Sequence, residues 1–241
     1  ANAYLKKSDE IQKRTIPIVK TLLTQISEKK SIKKEINTAA KKITLRYGLI
    51  DMNRIITGYL KGNYNDSADK FETINGDLIS TWNNFNWNSK HYCTSICIPS
   101  EFGTKIKSDG KNSIVTDSKI HTITHVLVNA SKILTKSESN DIDAYYENGI
   151  IHLFDNTSDG YNGCSKMIYE NFEEIMDTCF DLINECDCPV DPKQKKSVSD
   201  GEEWGGCPKC TFTTNYCQTK NKKLSKNEAL EFFSIFKREI K

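Results

Sequence analysis

The sequence lacks several features that would assign a function at once. No apolar run reaches the roughly 18 residues that a membrane-spanning helix needs. The stretch closest to a nucleotide-binding P-loop, Gly103 to Asn112, has six residues between its glycines instead of four and ends in Asn instead of Ser or Thr. The charge is nearly balanced, with 34 Lys and Arg against 32 Asp and Glu, and a net charge of +2 demands no nucleic-acid partner. We therefore expect a chain that spans no membrane and hydrolyses no ATP.

A secretion signal is also missing, because residues 1–7 contain no apolar segment. The chain has nine cysteines, an odd number. Unpaired thiols without a signal favour a reducing cytoplasm and a bound metal. The first residue is Ala and not Met, which suggests a fragment of a longer protein. A secreted, disulfide-rich surface protein is the alternative, and the high content of Cys and Asn favours it.

Four of the cysteines form two short chelating pairs near the C-terminal end. Cys186–Cys188 has the form C-x-C, and Cys207–Cys210 has the form C-x-x-C. Each pair can bind one ion from two sides, and four thiolates complete the closed tetrahedral shell of a structural zinc ion. The prediction is one structural Zn²⁺ held by Cys186, Cys188, Cys207 and Cys210. Two disulfides, or thiols scattered in the core, are the alternative, and Cys217 is a less economical substitute ligand.

A histidine pair forms a second, weaker pattern. His121 and His125 lie four residues apart, which is a metal-ligand spacing on a helix. Thr122 stands where H-E-x-x-H peptidases have their catalytic Glu, so a peptidase is disfavoured. A packed, hydrogen-bonded pair is the simpler interpretation.

The remaining candidates are incomplete. His91, Cys93 and Cys97 could form part of a second metal site, since Cys93 and Cys97 share one face of an extended strand. Packed or free thiols are the simpler interpretation, because buried cysteines are common. Three aspartates are weak candidates for catalysis, because Asp at such positions more often caps a strand or a turn. They are Asp141, Asp143 and Asp155.

The residue patterns predict an α+β fold, in which a small mixed sheet is flanked by helices and the zinc knuckle lies between the last two helices. Residues 1–42 are expected to be helical and residues 43–118 to be β-rich. The predicted helices are 78–82, 118–136, 163–185 and a final helix that begins at the capping box Ser225–Glu228. The predicted strands are 43–48, 53–60, 92–98, 104–107 and 149–154. A turn is expected between the first two strands, and loops over the rest of 62–90 and over 137–148.

The order of these features resembles the C-terminal zinc-binding module of MrfA-type DNA helicases, which also occurs in anti-phage systems such as DISARM and Druantia. The resemblance is strongest over residues 119–241, weaker over 43–107 and missing from 1–42. The matching segments, in chain order, are His121–Leu127, Asp141–Asp143, Ile151–Asp155, Gly160–Gly163, Cys186–Cys188 and Gly206–Cys210. This sequence departs from the family in a diluted glycine turn and in the 18 residues, 189–206, between its cysteine pairs. Loop closure becomes only slowly more costly with length, so the zinc site can tolerate that insertion.

The resemblance implies a helicase-associated zinc-binding domain that is not itself catalytic. It implies work on DNA, in repair or anti-phage defence, with an ATP-dependent helicase core in the same polypeptide or in a partner subunit. A protein–protein docking module of a defence complex is the alternative, favoured by the near-neutral charge. Four lysines are candidates for phosphate contact or for offsetting thiolate charge near the metal: Lys193, Lys195, Lys196 and Lys209.

Overall fold

The computed structural model describes residues 12–24, 26, 30–37, 42–65, 70–98, 118–147, 149–188, 207, 209–213 and 224–237. These residues form strands β1 Gln12–Leu23, β2 Ile32–Asn37, β3 Lys42–Asn65, β4 Lys70–Cys97, β5 Ile142–Glu147 and β6 Ile150–Asp155. The helices are α1 Ser118–Thr135, α2 Cys164–Glu170, α3 Phe172–Asn184 and α4 Lys226–Lys237. The predicted α+β class is confirmed. Within the described residues, no helix is long and apolar enough to span a membrane.

The chain divides into two compact units, a smaller one of residues 1–24 and 51–89 and a larger one of residues 25–50 and 90–241. In the smaller unit, β1 pairs antiparallel with the second half of β3, and a bulge interrupts the register between Ile18 and Val19. β1 ends the strand order β1-β3-β4-β6-β5. An edge strand tolerates Pro17, which has no N–H to donate.

In the larger unit, the strands place the functional segments on a fixed frame. β2 pairs with the first half of β3, from Ile32 opposite Tyr47 to Asn37 opposite Lys42. The end of β4 pairs with β6, and β6 pairs with β5, all antiparallel. β6 lies between these two strands, and the apolar residues Ile151, Leu153 and Phe154 that it carries are almost fully buried.

Helices α1, α3 and α4 supply most of the helical part of one hydrophobic core. The predicted helix 118–136 is confirmed as α1, which buries an apolar stripe formed by Ile120, Ile123, Leu127 and Ala130. The final helix is also confirmed, and the hydroxyl of Ser225 accepts a hydrogen bond from the backbone N–H of Glu228 at its start. The core residues of the three helices are Ile120, Ile123, Val126, Leu127, Val128, Ala130, Phe172, Ile175, Met176, Cys179, Ile183, Ala229, Phe232 and Phe233.

The helical prediction for residues 1–42 is wrong where the structure describes them, because β1 and β2 occupy 12–23 and 32–37. Thr15, Ile16, Ile18, Val19 and Thr21 are β-branched, and β-branched residues favour strands. Their apolar spacing also fits a helix, so periodicity alone gave the wrong answer for this segment.

Three other predictions were wrong where strand pairing outweighs local sequence signals, and a fourth was wrong in one helix. The expected turn between 48 and 53 does not form, since β3 is continuous, and the expected loops and helix in 62–90 are largely replaced by β4. β5 forms within the segment 137–148 that was expected to be a loop. The helix predicted at 163–185 is divided into α2 and α3 at Asn171. Strands at 92–98 and 149–154 are confirmed as the end of β4 and as β6, whereas 104–107 lies outside the described residues.

Two glycines with positive φ provide a test of how the turn after β6 packs. A Cβ on Gly160 would lie 1.8 Å from the carbonyl oxygen of Lys90, whereas a Cβ on Gly149 would meet nothing within 4 Å. We expect Gly149→Ala to lower the free energy of unfolding by about 1–2 kcal/mol, the cost of the left-handed backbone alone. Gly160→Ala should cost about 3 kcal/mol or more, because the backbone of β4 must also move. Urea unfolding of the two variants measures the difference, and equal losses would contradict this packing.

Candidate metal centre

The four predicted cysteines lie together beyond the C-terminal end of α3. Their sulfur atoms are all within 4.8 Å of one another. The Sγ atoms of Cys186 and Cys207 are 3.6 Å apart, and those of Cys188 and Cys210 are 3.9 Å apart. Each short distance joins one cysteine of the C-x-C pair to one of the C-x-x-C pair. In the part of the chain that the structure describes, no other group of three or more metal-ligating side chains meets the same criterion.

These separations fit a single zinc ion and not disulfides. Thiolates around a tetrahedral zinc, with Zn–S bonds of about 2.3 Å, lie about 3.8 Å from one another. The two measured separations, 3.6 and 3.9 Å, bracket that value. A disulfide would bring two sulfurs to about 2.05 Å, and all four thiols are free. The cluster can therefore hold one zinc ion, and four protein ligands leave no open position for a substrate.

The C-x-x-C turn is shaped to present a thiolate. The N–H groups of Thr211 and Phe212 both donate to the carbonyl oxygen of Cys207 at 3.0 Å, which closes the turn. The N–H of Lys209 donates to the sulfur of Cys207 at 3.3 Å. Burial opposes ionisation of this thiol, but hydrogen bonds from the backbone N–H groups of Lys209 and Cys210, together with those from the thiols of Cys188 and Cys186, lower the pKa of Cys207 to about 7. A substantial part of Cys207 is thus ionised at neutral pH, in the form that binds metal.

The other thiols depend more on a cation. Burial raises the pKa of Cys210 and that of Cys188 above the usual range for a thiol. Both would be protonated in a metal-free cluster at neutral pH. Zinc binding supplies the charge that ionises such thiols and releases their protons.

Two lysines lie beside the cluster, and one of them, Lys209, was among the residues predicted from the sequence. Lys209 is exposed, and its Nζ atom donates to Oδ1 of Asp187 at 3.1 Å. This contact raises the pKa of Lys209 and lowers that of Asp187. Lys226, the first residue of α4, is only 7% exposed, and its Nζ donates to the sulfur of Cys188 at 3.0 Å. The available sequence signal for Lys226 was a cation at a helix N-terminus, where the helix dipole disfavours it.

Side chains of helix α1 form hydrogen bonds to the backbone of the C-x-x-C turn, which is part of the zinc knuckle formed by the four cysteines. His125 Nδ1 lies 3.0 Å from the carbonyl oxygen of Thr211, and Asn129 donates to the carbonyl oxygen of Phe212 at 2.8 Å. Burial is the main reason that the pKa of His125 falls to about 4, so the neutral ring donates to Thr211 through Nδ1–H. The His121 and His125 rings pack edge to face with centroids 4.3 Å apart. The histidine pair therefore supports the zinc knuckle from outside it.

Asp155 has a capping role of the kind expected from its position. Its buried carboxylate accepts hydrogen bonds from the backbone N–H groups of Asn162, Gly163 and Ser165, at 3.1, 3.1 and 2.6 Å. These bonds fix the turn that leads from β6 into α2. Asp141 similarly accepts from the N–H of Glu138 at 2.8 Å. The backbone N–H of Ala144 donates to Asp143 at 2.8 Å.

The second candidate metal site, formed by His91, Cys93 and Cys97, does not form among the described residues. Ser95 Oγ lies 2.8 Å from Nδ1 of His152, and Cys93 Sγ lies 3.9 Å from the same nitrogen. Nδ1 of His91 instead meets the carbonyl oxygen of Asp155 at 2.8 Å. Burial raises the pKa of Cys93 to about 12 and lowers that of His152 to about 4, so both are neutral. This is a packed polar cluster between β4 and β6.

The predicted phosphate contacts lie mostly outside the described residues. Lys193, Lys195 and Lys196 fall in the segment 189–206, and Cys217 also falls outside. Phosphate contact by these lysines stays a prediction. Lys209 lies beside the metal ligands, with Asp187 as its ion-pair partner.

Comparison with protein-family models finds a match over the segment that carries the four cysteines. Residues 123–211 match the family model for MZB, the MrfA Zn-binding domain, and this range contains all four cysteines. The predicted resemblance to the MrfA module is confirmed. No curated protein sequence matches the chain.

A solved structure shows the same fold. The crystal structure of the DUF1998 helicase MrfA bound to DNA matches with a TM-score of 0.53 and 16% identity, over 94% of this chain and 26% of that chain. The structure of MrfA bound to DNA and AMPPNP matches with a TM-score of 0.48 and 15% identity, over 93% of this chain and 23% of that one. The present chain thus spans about a quarter of the helicase that it resembles.

Substitution of one cluster cysteine tests the metal centre. We expect the wild-type chain to carry one zinc ion and Cys210→Ser to carry far less, because a neutral hydroxyl replaces a buried thiolate. Cys97→Ser is the matched control, since Cys97 is half-buried but outside the cluster, and it should retain one zinc. Native mass spectrometry before and after acid unfolding measures the stoichiometry. Full zinc content in Cys210→Ser would contradict the assignment.

The buried His152 should make stability depend on pH. Its pKa is about 4 in the folded chain and about 6.5 when unfolded. The unfolded chain therefore binds more protons between these values, and stability is lost as pH falls from about 6.5 towards 4. Between pH 7 and pH 4.5, His152→Asn should lose about 2 kcal/mol less than the wild type. Urea unfolding at both pH values measures this, and acid release of zinc affects both proteins alike. Parallel losses would contradict the shifted pKa.

Proposed function

We propose that this chain is a non-catalytic, helicase-associated zinc-binding module, in which one structural Zn²⁺ is held by Cys186, Cys188, Cys207 and Cys210. The observation that carries the proposal is the spacing of the four sulfur atoms, which suits a tetrahedral tetrathiolate site. The match of residues 123–211 to the MrfA Zn-binding domain supports it.

The zinc ion in this proposal joins the ends of helices whose bodies already pack together in the hydrophobic core. Cys186 and Cys188 follow α3, the C-x-x-C turn is hydrogen-bonded to α1, and Lys226 connects the cluster to α4. Structural zinc supplies roughly 10–16 kcal/mol of apparent free energy in small domains. A typical domain has a net stability of only about 5–15 kcal/mol. Folding of the part formed by α1, α3, α4 and the four cysteines, called here the zinc lobe, should therefore depend on the metal.

The partners proposed for this module are DNA and an ATP-dependent helicase core. The core would lie in the same polypeptide or in a partner subunit, since this chain spans only about a quarter of the solved helicase. The support is the fold shared with MrfA, whose crystal structure is bound to DNA. The biological setting proposed is DNA repair or anti-phage defence, in the cytoplasm.

A protein–protein docking module is the second candidate. The ion pair between Lys209 and Asp187 favours docking over DNA binding. Asp187 partly neutralises the Lys209 ammonium, which could otherwise bind a phosphate group. The net charge of +2 favours docking as well. On this proposal the zinc lobe presents a rigid surface to the helicase core and makes no contact with DNA.

Salt-dependent DNA binding separates the two candidates. We expect the zinc-loaded chain to bind DNA, and with a single-stranded probe the logarithmic salt slope should be about −0.7 per phosphate contact. The triple substitution of Lys193, Lys195 and Lys196 by Ala should reduce the magnitude of that slope by about 2. A matched triple substitution of Lys33, Lys34 and Lys42 should leave it unchanged, because those lysines form ion pairs with glutamates. Fluorescence anisotropy across a salt series measures both.

Three experimental results would each contradict a different part of the proposal. No DNA binding at low salt, together with binding to a helicase core, would favour docking over DNA contact. An unchanged slope in the variant that lacks Lys193, Lys195 and Lys196 would contradict phosphate contact by these lysines, but not DNA binding by the module. DNA-stimulated ATP hydrolysis by the isolated chain would contradict the non-catalytic assignment.

A further inference from the structure

Lys226 makes an unusual set of contacts for a lysine at the start of a helix. Its Nζ atom donates to the carbonyl oxygens of Cys186 and Cys188 at 2.9 and 3.4 Å, and to the sulfur of Cys188 at 3.0 Å. An ammonium group has three donors, so these contacts use its full capacity. All three acceptors belong to the C-x-C segment.

The position of Lys226 is costly without an anionic partner. The residue is 7% exposed and is the first residue of α4. The positive end of the helix dipole disfavours a cation there, and burial removes its hydration. The neighbouring carboxylate of Asp187 is exposed and bonded to Lys209. The sulfur cluster is thus the anionic group that Lys226 contacts directly.

The same contacts hold the chelate in shape. Hydrogen bonds to both carbonyl oxygens fix the backbone on either side of Asp187, which orients the sulfurs of Cys186 and Cys188 toward the C-x-x-C turn. Four thiolates and one Zn²⁺ carry a net charge of −2, and a buried ammonium reduces it to −1. An N–H donor to a metal-bound thiolate also lowers the nucleophilicity of that sulfur.

From this geometry we propose that Lys226 is a positioning residue of the zinc site, which orients the Cys186–Cys188 chelate and protects the thiolate of Cys188. The inference rests on the zinc site proposed above. It also links metal loading to α4, because the helix begins at the residue that contacts the cluster. Loss of the metal would remove the anion that keeps this helix start in place.

Zinc affinity of Lys226 variants, measured by chelator competition, gives the first test. Lys226→Met keeps the length of the side chain but removes the charge and the donors, and it should weaken zinc binding roughly 10- to 100-fold, as for other residues that support metal ligands. Lys226→Arg retains charge and donors and should recover most of the affinity. Lys209→Met is the matched control, since its ammonium is exposed and contacts Asp187, and its affinity should stay close to that of the wild type.

Alkylation of the zinc-loaded proteins, followed residue by residue with mass spectrometry, distinguishes positioning from general destabilisation. In Lys226→Met, Cys188 should react several-fold faster than in the wild type, with Cys207 and Cys210 little changed. Equal acceleration at all four cysteines would indicate local unfolding and overturn the proposal. Wild-type affinity in Lys226→Met would overturn it too and leave the zinc site intact. A wild-type chain that binds no zinc would overturn the zinc site itself, and this inference with it.

Discussion

The larger unit depends on one electrostatic constraint, which is the close approach of four sulfur atoms that cannot all be ionised without a cation. Their mutual separations, all within 4.8 Å, would cause strong repulsion between thiolates. Burial raises the pKa of Cys188 and Cys210, whereas backbone N–H donors lower that of Cys207 to about 7. The cluster is therefore only partly ionised by its own surroundings. A divalent cation resolves this conflict, and tetrahedral sulfur geometry suits zinc among the common divalent ions.

Three helices position the four cysteines, and each does so through a different contact. α1 holds the C-x-x-C turn through His125 and Asn129, α3 leads directly into the C-x-C pair, and α4 begins at Lys226. The hydrophobic core joins the bodies of these helices, while the cluster joins their ends. This division explains why 18 residues can separate the cysteine pairs. The ligands are positioned by contacts with the helices, so the number of residues between the two pairs adds only a small entropic cost.

The sequence was informative where the signal is local and failed where it depends on distant pairing. The cysteine motifs, helix α1 and the Ser225 cap were all predicted, because each rests on residues within a few positions of one another. β1 was mistaken for a helix and β3 was divided by a turn that does not form, because their partners lie elsewhere in the chain. Lys226 was missed for the same reason. Its partners are 38 and 40 residues away, and only the folded chain brings them together.

A closed metal site limits what this module can contribute to a larger enzyme. Zinc with four protein thiolates has no position for water or substrate, so chemistry at the metal would require a ligand to leave. The His121–His125 pair packs against the knuckle, and the Cys93–Ser95–His152 cluster is buried between strands. Neither places an ionised nucleophile at an accessible surface. The proposed contribution of this lobe is therefore its shape, and shape depends on rigidity. Lys226 is important in that respect, because it makes the start of α4 sensitive to whether the metal is bound.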